Sequence, residues 1–224
     1  MMYNREKTLE MGEKMAHVTE IREVRGLIEL SLDGVLWLRV RKKHFMKRPI
    51  ECGDCIEPEE YISSLAALQA ADCYEAALTM LDMAAQTSGD LIRKLAHKGY
   101  VPPAAEAAVQ RLEENRLIDD RRYAQRIAQT QLNKPVGAYA VRRKLRAKHL
   151  SDEDVEAAME GFDSEQQASA CRDAAAKLWR KYGDLPPREG RAKLSQALAR
   201  RGFGWDAISS AVDEVVSDDG FFED

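Results

Sequence analysis

The residue spacing that most resembles a reactive or metal-binding site is the short sequence CGDC, which contains Cys52 and Cys55. A structural zinc site needs a second pair of ligands at a matching spacing, and the remaining cysteines, Cys73 and Cys171, stand alone. Disulfides are rare in intracellular proteins, and the uneven spacing of these cysteines does not resemble a disulfide framework. We therefore expect reduced thiols, at a turn for the CGDC pair and in cores for the other two, and no bound metal.

Side chains suited to catalysis are few and scattered. The histidines are His17, His44, His97 and His149. No carboxylate cluster accompanies them, and the sequence contains no GxxxxGK(S/T), HExxH or GxSxG motif. The adjacent acidic pair Asp119-Asp120 precedes an amphipathic run, where carboxylates cap a helix by accepting from its free N–H groups. This inventory predicts a protein that is not an enzyme and uses no cofactor.

The formal net charge of −4 is unevenly distributed along the 224 residues. Residues 88 to 150 contain 14 Lys and Arg against 6 Asp and Glu, whereas residues 1 to 87 have a net charge of −4 and residues 151 to 224 one of −8. A concentrated positive region attracts a polyanion or an acidic protein face even when the whole molecule is acidic. The basic middle of the chain is therefore the candidate partner-binding region.

The basic residues of this region occupy equivalent positions on successive predicted helices. In GAYAVRRKLRAKHL, a helix places Val141 and Leu145 on one face and several arginines on the opposite one. Equivalent positions in an earlier segment and an intervening helix carry further cations. The candidate binding residues are Arg93, Lys94, Lys98, Arg121, Arg122, Arg126, Arg142, Arg143, Lys144, Arg146 and Lys148. The alternative is that these residues only form a solvent-exposed charged face. Solubility alone, however, does not require positive charges to be clustered apart from negative ones.

The N-terminal part has a different pattern. In GLIELSLDGVLWLRV the apolar residues alternate with period two around Asp33-Gly34, a dipeptide typical of a type I′ hairpin turn. The following MKRPIECGDCIEPEEY is rich in turn residues, and an apolar helical run begins at Tyr61. The sequence therefore predicts a charged tail, a small β-hairpin with a linker, and a mainly α-helical remainder.

The helical remainder repeats itself. Residues 91–112, 141–162 and 194–215 align without gaps, so that Leu95, Leu145 and Leu198 coincide, as do many other apolar positions. Each first helix ends at a predicted left-handed C-cap position. These positions are Gly99, His149 and Gly202. Helix starts are indicated by the capping-box spacings Thr87/Asp90 and Ser151/Asp154 and by Pro102-Pro103.

Each aligned block contains two helices, and one further helix precedes each block, over about 74–85, 119–132 and 164–182. Every unit therefore has three helices. Tandem units of this kind bury their cores between neighbours, so we expect an elongated, curved body. The predicted organisation is a charged tail (1–17), β-hairpin and linker (18–60), three helical repeats (61–117, 118–162 and 163–217) and an acidic tail (218–224).

Three ordered segments resemble the signature blocks of a known family. TSGDLIRKLAHKGY, LEENRLIDDRRYAQ and VGAYAVRRKLRAKHL are similar, in order and spacing, to those of the RecX family, bacterial regulators of the RecA recombinase. The hairpin VTEIREVRGLIELSLDGVLWLRV followed by ECGDCIEPEEY resembles the N-terminal extension of the longer members from Gram-positive bacteria. The clear resemblance covers about residues 74 to 162.

The resemblance implies a fold of tandem three-helix repeats and a function without catalytic residues. A RecX-like protein binds the RecA nucleoprotein filament, inhibits its ATPase and strand exchange, and limits filament extension, thereby affecting homologous recombination, DNA repair and the SOS response. We expect RecA, with single-stranded or double-stranded DNA, as the partner. No apolar run resembles a signal peptide or membrane span, so we expect a cytoplasmic monomer with no membrane partner.

Two departures from the family pattern affect this expectation. His149 stands where the family usually has glycine, so the C-cap of the second repeat must adopt the left-handed conformation at some cost or end differently. The third repeat is less basic, so we expect the partner surface on the first two repeats. Three other functions remain open: a general nucleic-acid-binding helical protein, a scaffold, and a helix-turn-helix DNA reader, which the threefold repetition disfavours. Arginines serve protein and phosphate contacts alike, so the sequence leaves RecA and DNA as alternative contacts.

Overall fold

The computed structural model describes residues 15–132 and 134–218, which contain ten helices and four strands. The strands are β1 (Ala16–Val24), β2 (Leu27–Leu32), β3 (Val35–Arg41) and β4 (Cys55–Ile56). The helices are α1 (Lys42–Phe45), α2 (Pro58–Met83), α3 (Ser88–His97), α4 (Pro102–Glu114), α5 (Asp120–Leu132), α6 (Ala138–Arg146), α7 (Asp152–Met159), α8 (Ser164–Tyr182), α9 (Pro187–Arg200) and α10 (Trp205–Asp218). The prediction of a mainly α-helical chain with a small N-terminal β element is confirmed.

Two compact units divide the chain between Ile118 and Asp119. The first contains the strands, α1 and the repeat α2–α4, and the second contains the repeats α5–α7 and α8–α10. β1 begins at Ala16, inside the stretch expected to be a charged tail. α2 begins at Pro58, close to the helical run expected from Tyr61, and it includes most of the helix expected over about 74–85. Residues 1–14 and 219–224, most of the two expected tails, lie outside the described residues.

The predicted hairpin is part of a larger antiparallel sheet with the strand order β3-β2-β1-β4. Its β2–β3 turn has positive φ at both Asp33 (47°) and Gly34 (82°), as the type I′ prediction requires. Arg25 and Gly26 form a second turn of the same kind between β1 and β2, with φ of 53° and 79°. Two tight turns of this geometry therefore set the order of the first three strands.

The sheet and the first repeat share one hydrophobic core. Buried strand residues such as Leu30 and Val40 belong to the same cluster as Leu65 of α2 and Leu91 of α3. A smaller cluster built on Ala16, Val18 and Leu32 shares half-buried residues such as Ile21 and Trp37 with this core. All residues of β2 from Ile28 to Leu32 are buried, and Glu29, between the apolar positions, is covered by its ion pairs with Arg22 and Arg39.

A polar contact ties the sheet end to the first repeat. The Asp72 carboxylate on α2 accepts hydrogen bonds from the Tyr100 hydroxyl (2.7 Å), Arg41 (3.2 Å) and Lys43 (2.5 Å). Burial alone would raise the pKa of Asp72, but these donors together lower it. His44 of α1 is 2% exposed, and its Nε2 lies 3.4 Å from an Asp72 oxygen. The network fixes α1 against α2.

One residue with the left-handed backbone conformation follows the first helix of each aligned block. Gly99, His149 and Gly202 have φ of 83°, 55° and 83°. The predicted C-cap positions are therefore confirmed, and of the two alternatives for His149 the left-handed cap is the one observed. The two glycine turns also touch another backbone. A Cβ on Gly99 would lie 2.9 Å from the Arg41 nitrogen, and one on Gly202 would lie 2.3 Å from the Ala140 nitrogen. Neither position has room for a larger residue.

In the second unit, this close contact caps α6. Three N–H groups at the start of α6, those of Gly137, Ala138 and Tyr139, have no partner within the helix. They donate to the Arg201 carbonyl (2.9 Å), the Gln167 side chain (2.8 Å) and the Gly202 carbonyl (3.1 Å). The third repeat thus supplies the N-terminal cap that the glycine at residue 137 cannot provide with a side chain.

The other predicted caps are confirmed. The hydroxyl of Thr87 accepts from the Asp90 N–H (3.2 Å), and that of Ser151 accepts from the Asp154 N–H (3.1 Å). Asp119 accepts from the Arg122 N–H (2.8 Å), which makes the acidic pair a helix cap as expected. These caps begin α3, α7 and α5, respectively, close to the predicted residues.

We predict that Gly99→Ala destabilises the first unit more than Gly26→Ala does. Both glycines have positive φ, but a Cβ on Gly26 meets nothing within 4 Å, whereas one on Gly99 meets backbone atoms of Val40 and Arg41. Backbone strain alone predicts a loss of about 1–2 kcal/mol for Gly26→Ala, and the added clash predicts about 2–4 kcal/mol for Gly99→Ala. Urea unfolding measures both, and equal losses would contradict the close-contact explanation.

We also predict that His44 makes stability depend on pH. Burial is the main cause that lowers the pKa of His44, and the nearby Asp72 opposes it. The unfolded state therefore binds the proton more readily, so the contribution is complete above the unfolded pKa of about 6.5 and is lost as pH falls through the folded pKa. His44→Gln should flatten the fall in unfolding free energy from pH 8 to 5. His97→Gln, at an exposed position, is the control and should retain the wild-type slope.

Candidate partner-binding surface

Helix α5 presents three of the predicted binding residues to solvent. Its small residues Ala124 and Ala128 are buried in the core of the second repeat, which leaves Arg121, Arg122 and Arg126 exposed. The Arg126 guanidinium lies 5.6 Å from the centroid of the Tyr123 ring. The cap at Asp119 fixes where α5 begins and therefore which way its first-turn arginines project.

Two arginines of α6 face the neighbouring helix α7. Val141 and Leu145 are buried, and the side chain of Arg142 makes two hydrogen bonds to Glu156, of 3.1 and 2.9 Å. One turn later, Arg146 hydrogen-bonds Asp152 at 3.2 Å. The hydrogen bond from Arg142 is the main cause that lowers the pKa of the Glu156 carboxyl. Both arginines therefore have carboxylate partners inside their own repeat.

Arg143 and Lys144 differ from these two arginines. Both side chains are exposed, and within residues 15–132 and 134–218 neither has an ion pair or side-chain hydrogen bond. Lys148, in the turn after α6, is half-buried and interacts within the protein. The sequence predicted one continuous basic face on α6. The structure shows instead two arginines paired with carboxylates and two cations exposed to solvent.

In the first unit, the equivalent cations are also unequal. Arg93 is exposed, with a guanidinium nitrogen 3.7 Å from an Asp90 oxygen, and Lys98 is exposed at the end of α3. Lys94 is half-buried and hydrogen-bonded to the side chain of Gln86. The eleven predicted residues therefore belong to two units, three in the first and eight in the second. Their role in binding remains a prediction.

Sequence reasoning missed two large exposed aromatic residues in the second unit. Tyr139, at the start of α6, is 65% exposed, and Trp205, at the start of α10, is 70% exposed. The repeat alignment contained the signal. Its first and third copies have Gly89 and Ala192 where the second has Tyr139. Where the third copy has Trp205, the others have Pro102 and Asp152. The fold of the repeat does not require a large ring at either position.

The cysteines show no metal-binding arrangement. The described part of the chain contains no group of three or more His, Cys, Asp or Glu residues that could hold a metal ion. Cys52 and Cys55 are free and exposed near a turn, whereas Cys73 and Cys171 are buried. Burial raises the pKa of Cys73 to about 12 and that of Cys171 to about 11, so these two thiols are poor nucleophiles at neutral pH.

Hydropathy identifies no helix, within the residues that the structure covers, of the length and apolar character needed to span a bilayer.

Comparison with known proteins matches all three helical repeats. Models of the first, second and third three-helix domains of RecX match residues 73–112, 119–159 and 164–212. A regulatory protein RecX from Chlorobaculum tepidum is 35% identical over 146 residues, which cover 64% of this chain and 88% of that protein. One from Limosilactobacillus reuteri is 27% identical over 205 residues, or 90% of this chain and 78% of that protein.

The chain belongs to the RecX family. A crystal structure of a regulatory protein RecX has 28% sequence identity and a TM-score of 0.58, and the match covers 91% of this chain and 99% of that one. The structure of RecX from Lactobacillus salivarius has 25% identity and a TM-score of 0.58, over 66% of this chain and 97% of that one. The predicted family and its three-helix units are confirmed, and the third repeat is a RecX domain as well.

We predict that the ion pair between Arg142 and Glu156 contributes little to stability. The side chains are 33% and 53% exposed, so water screens the pair and competes for its hydrogen bonds. A double-mutant cycle with Arg142→Ala and Glu156→Ala should show no coupling beyond the error of urea unfolding. The same cycle on Arg146 and Asp152 is the control for a still more exposed pair, and a clearly larger coupling for Arg142 and Glu156 than for this control would contradict the prediction.

Proposed function

We propose that this protein binds the RecA nucleoprotein filament and inhibits its ATPase activity, strand exchange and extension, and thereby regulates homologous recombination and the SOS response. The observation that carries the proposal is the match of all three repeats, in order, to the three RecX domains. The proposal also makes the protein a cytoplasmic monomer whose partners are RecA and DNA.

Exposed cations support a contact with the filament. A nucleoprotein filament carries the phosphates of its DNA, and Lys and Arg side chains bind phosphate by displacing its condensed counterions. Arg121 and Arg122 at the start of α5 and Arg143 and Lys144 on α6 belong to the same unit and are exposed. These four residues can approach a phosphate or an acidic protein surface without first losing an ion pair within the described chain.

Arg142 and Arg146 are weaker candidates for direct contact. Each must share its guanidinium with a partner or leave Glu156 or Asp152 unpaired, and both carboxylates would then repel an approaching phosphate. We therefore assign these two arginines to the packing of α6 against α7 and assign the partner contact first to Arg143 and Lys144.

An ATPase assay tests the proposal directly. RecA is assembled on single-stranded DNA, the protein is titrated in, and phosphate release is followed at steady state. We expect the rate to fall with a midpoint that moves to higher protein concentration as salt is added, because the contact is partly electrostatic. An unchanged ATPase rate at saturating protein, together with tight binding to DNA without RecA, would favour a general nucleic-acid-binding function instead.

A pair of charge reversals tests the residue assignment. Arg143→Glu with Lys144→Glu should raise the inhibitory midpoint by about tenfold or more, because two favourable charges become repulsive. Lys177→Glu with Arg188→Glu changes the net charge equally on exposed positions of the third repeat and should stay within about twofold of wild type. Equal losses for both variants would show that only total charge matters and would contradict the assignment.

A further inference from the structure

Two exposed aromatic rings in the second unit flank one glycine-rich turn. The Tyr139 N–H donates to the Gly202 carbonyl (3.1 Å), which holds the start of α6 against the turn between α9 and α10. A Cβ built on Gly204 would lie 3.6 Å from Tyr139 Cε2, and Trp205 is the next residue along the chain. The ring of Tyr139 therefore packs beside the turn from which Trp205 projects.

The backbone around this turn is closely fitted. Gly137 and Gly202 approach so tightly that a Cβ on Gly137 would lie 2.0 Å from the Gly202 oxygen. Three N–H groups at the start of α6 donate hydrogen bonds that reinforce this contact, and carbonyls of the turn after α9 accept two of them. Two rings on a backbone held in this way lose little conformational freedom when a flat ligand stacks on them.

Three arginines lie close to the two rings along the chain. Arg143 lies one helical turn after Tyr139 on the same face of α6, and Arg200 and Arg201 directly precede the turn. The side chains of these three arginines have no ion pair within the described residues. Asp206, in the first turn of α10, is the nearest acidic residue in sequence. Aromatic faces bordered by arginines fit a ligand that combines flat rings with phosphates.

We propose that Tyr139 and Trp205 form a stacking platform for unpaired nucleotide bases, with Arg143 and Arg201 beside the strand's phosphates. Every base has a π-face, so stacking on aromatic side chains selects unpaired strands without reading their sequence. Bases inside a duplex are already stacked and do not present this face. The inference deepens the proposed contact with DNA and rests on that part of the proposed function alone.

The decisive test compares strands with and without bases. The full-length protein is titrated into a labelled oligothymidine of about 20 nucleotides, and into an abasic strand of the same length and charge. Tyr139→Ala with Trp205→Ala should weaken binding of oligothymidine by about tenfold or more and leave the affinity for the abasic strand unchanged. An equal loss on both strands, or no loss on oligothymidine, would overturn the platform.

Conservative variants separate stacking from a structural role. Tyr139→Phe with Trp205→Phe keeps an aromatic face at both positions and removes the tyrosine hydroxyl and the pyrrole part of the indole, so it should bind oligothymidine within about threefold of wild type. Both replaced side chains are largely exposed, so urea midpoints should not change in either double variant. Met83→Ala, which truncates an 82% exposed side chain in the first unit, is the matched control and should bind as wild type does. A loss in the phenylalanine variant as large as in the alanine variant would overturn stacking.

Tryptophan fluorescence gives a direct signal. Trp179 is 6% exposed and Trp37 is half-buried, so Trp205 is the exposed indole of the three. Oligothymidine should quench wild-type emission, the abasic strand should not, and Trp205→Phe should remove the quenching while binding persists. Quenching that survives in Trp205→Phe would place the bases elsewhere and overturn the assignment.

The RecA assay keeps this inference separate from the wider proposal. Inhibition of the RecA ATPase by a protein that binds oligothymidine no better than an abasic strand would overturn the platform and leave the filament regulator in place. Base-dependent binding without any effect on RecA would leave the platform in place and overturn the filament regulator. Loss of RecA binding in the alanine variant with full retention of oligothymidine binding would show a protein contact and overturn the platform.

Discussion

The contact on which both units depend is made by backbone atoms, at a glycine with positive φ just after a helix. In the first unit, the Gly99 carbonyl accepts from the Arg41 N–H (3.2 Å), and in the second the Gly202 carbonyl accepts from the Tyr139 N–H (3.1 Å). Each contact pairs a carbonyl exposed at a helix end with an N–H at the start of another helix, α1 or α6. Groups that would otherwise need water or a capping side chain satisfy each other.

This use of backbone explains why neighbouring elements can pack so closely with few large side chains between them. Glycine is needed for two separate reasons, because the left-handed conformation disfavours a Cβ and because the facing backbone occupies the space of that Cβ. The second repeat shows that the reasons are separable. His149 accepts the conformation, with φ of 55°, although it has a Cβ. The left-handed turn therefore belongs to every repeat, and the close backbone contact is observed at the two glycines.

Local sequence signals predicted the helical units well because they act within a few residues. α8 spans Ser164–Tyr182 as predicted, and the hydroxyl and carboxylate caps lie where their spacing indicated. The ion pair of Arg142 could not be predicted, because it depends on how α7 crosses α6, which no local pattern specifies. β4 is a two-residue strand with no periodicity of its own, so only pairing with β1 reveals it. The exposure of Tyr139 and Trp205 was missed for another reason: a large aromatic residue usually indicates a core, and only comparison of the three repeats shows that neither position needs one.

The charge pattern shows most clearly how sequence and structure differ. Counting along the chain divided a basic segment from an acidic one at residue 150, but two ion pairs cross that division when α7 folds against α6. The positive surface of the second repeat is therefore smaller than the count implies, and its exposed cations without an ion pair among the described residues are Arg121, Arg122, Arg126, Lys134, Arg143 and Lys144. Contacts between such cations and phosphates weaken steeply as salt is added. A partner held tightly there must also make contacts that salt does not screen, and the exposed rings of Tyr139 and Trp205 lie in the same unit as these cations.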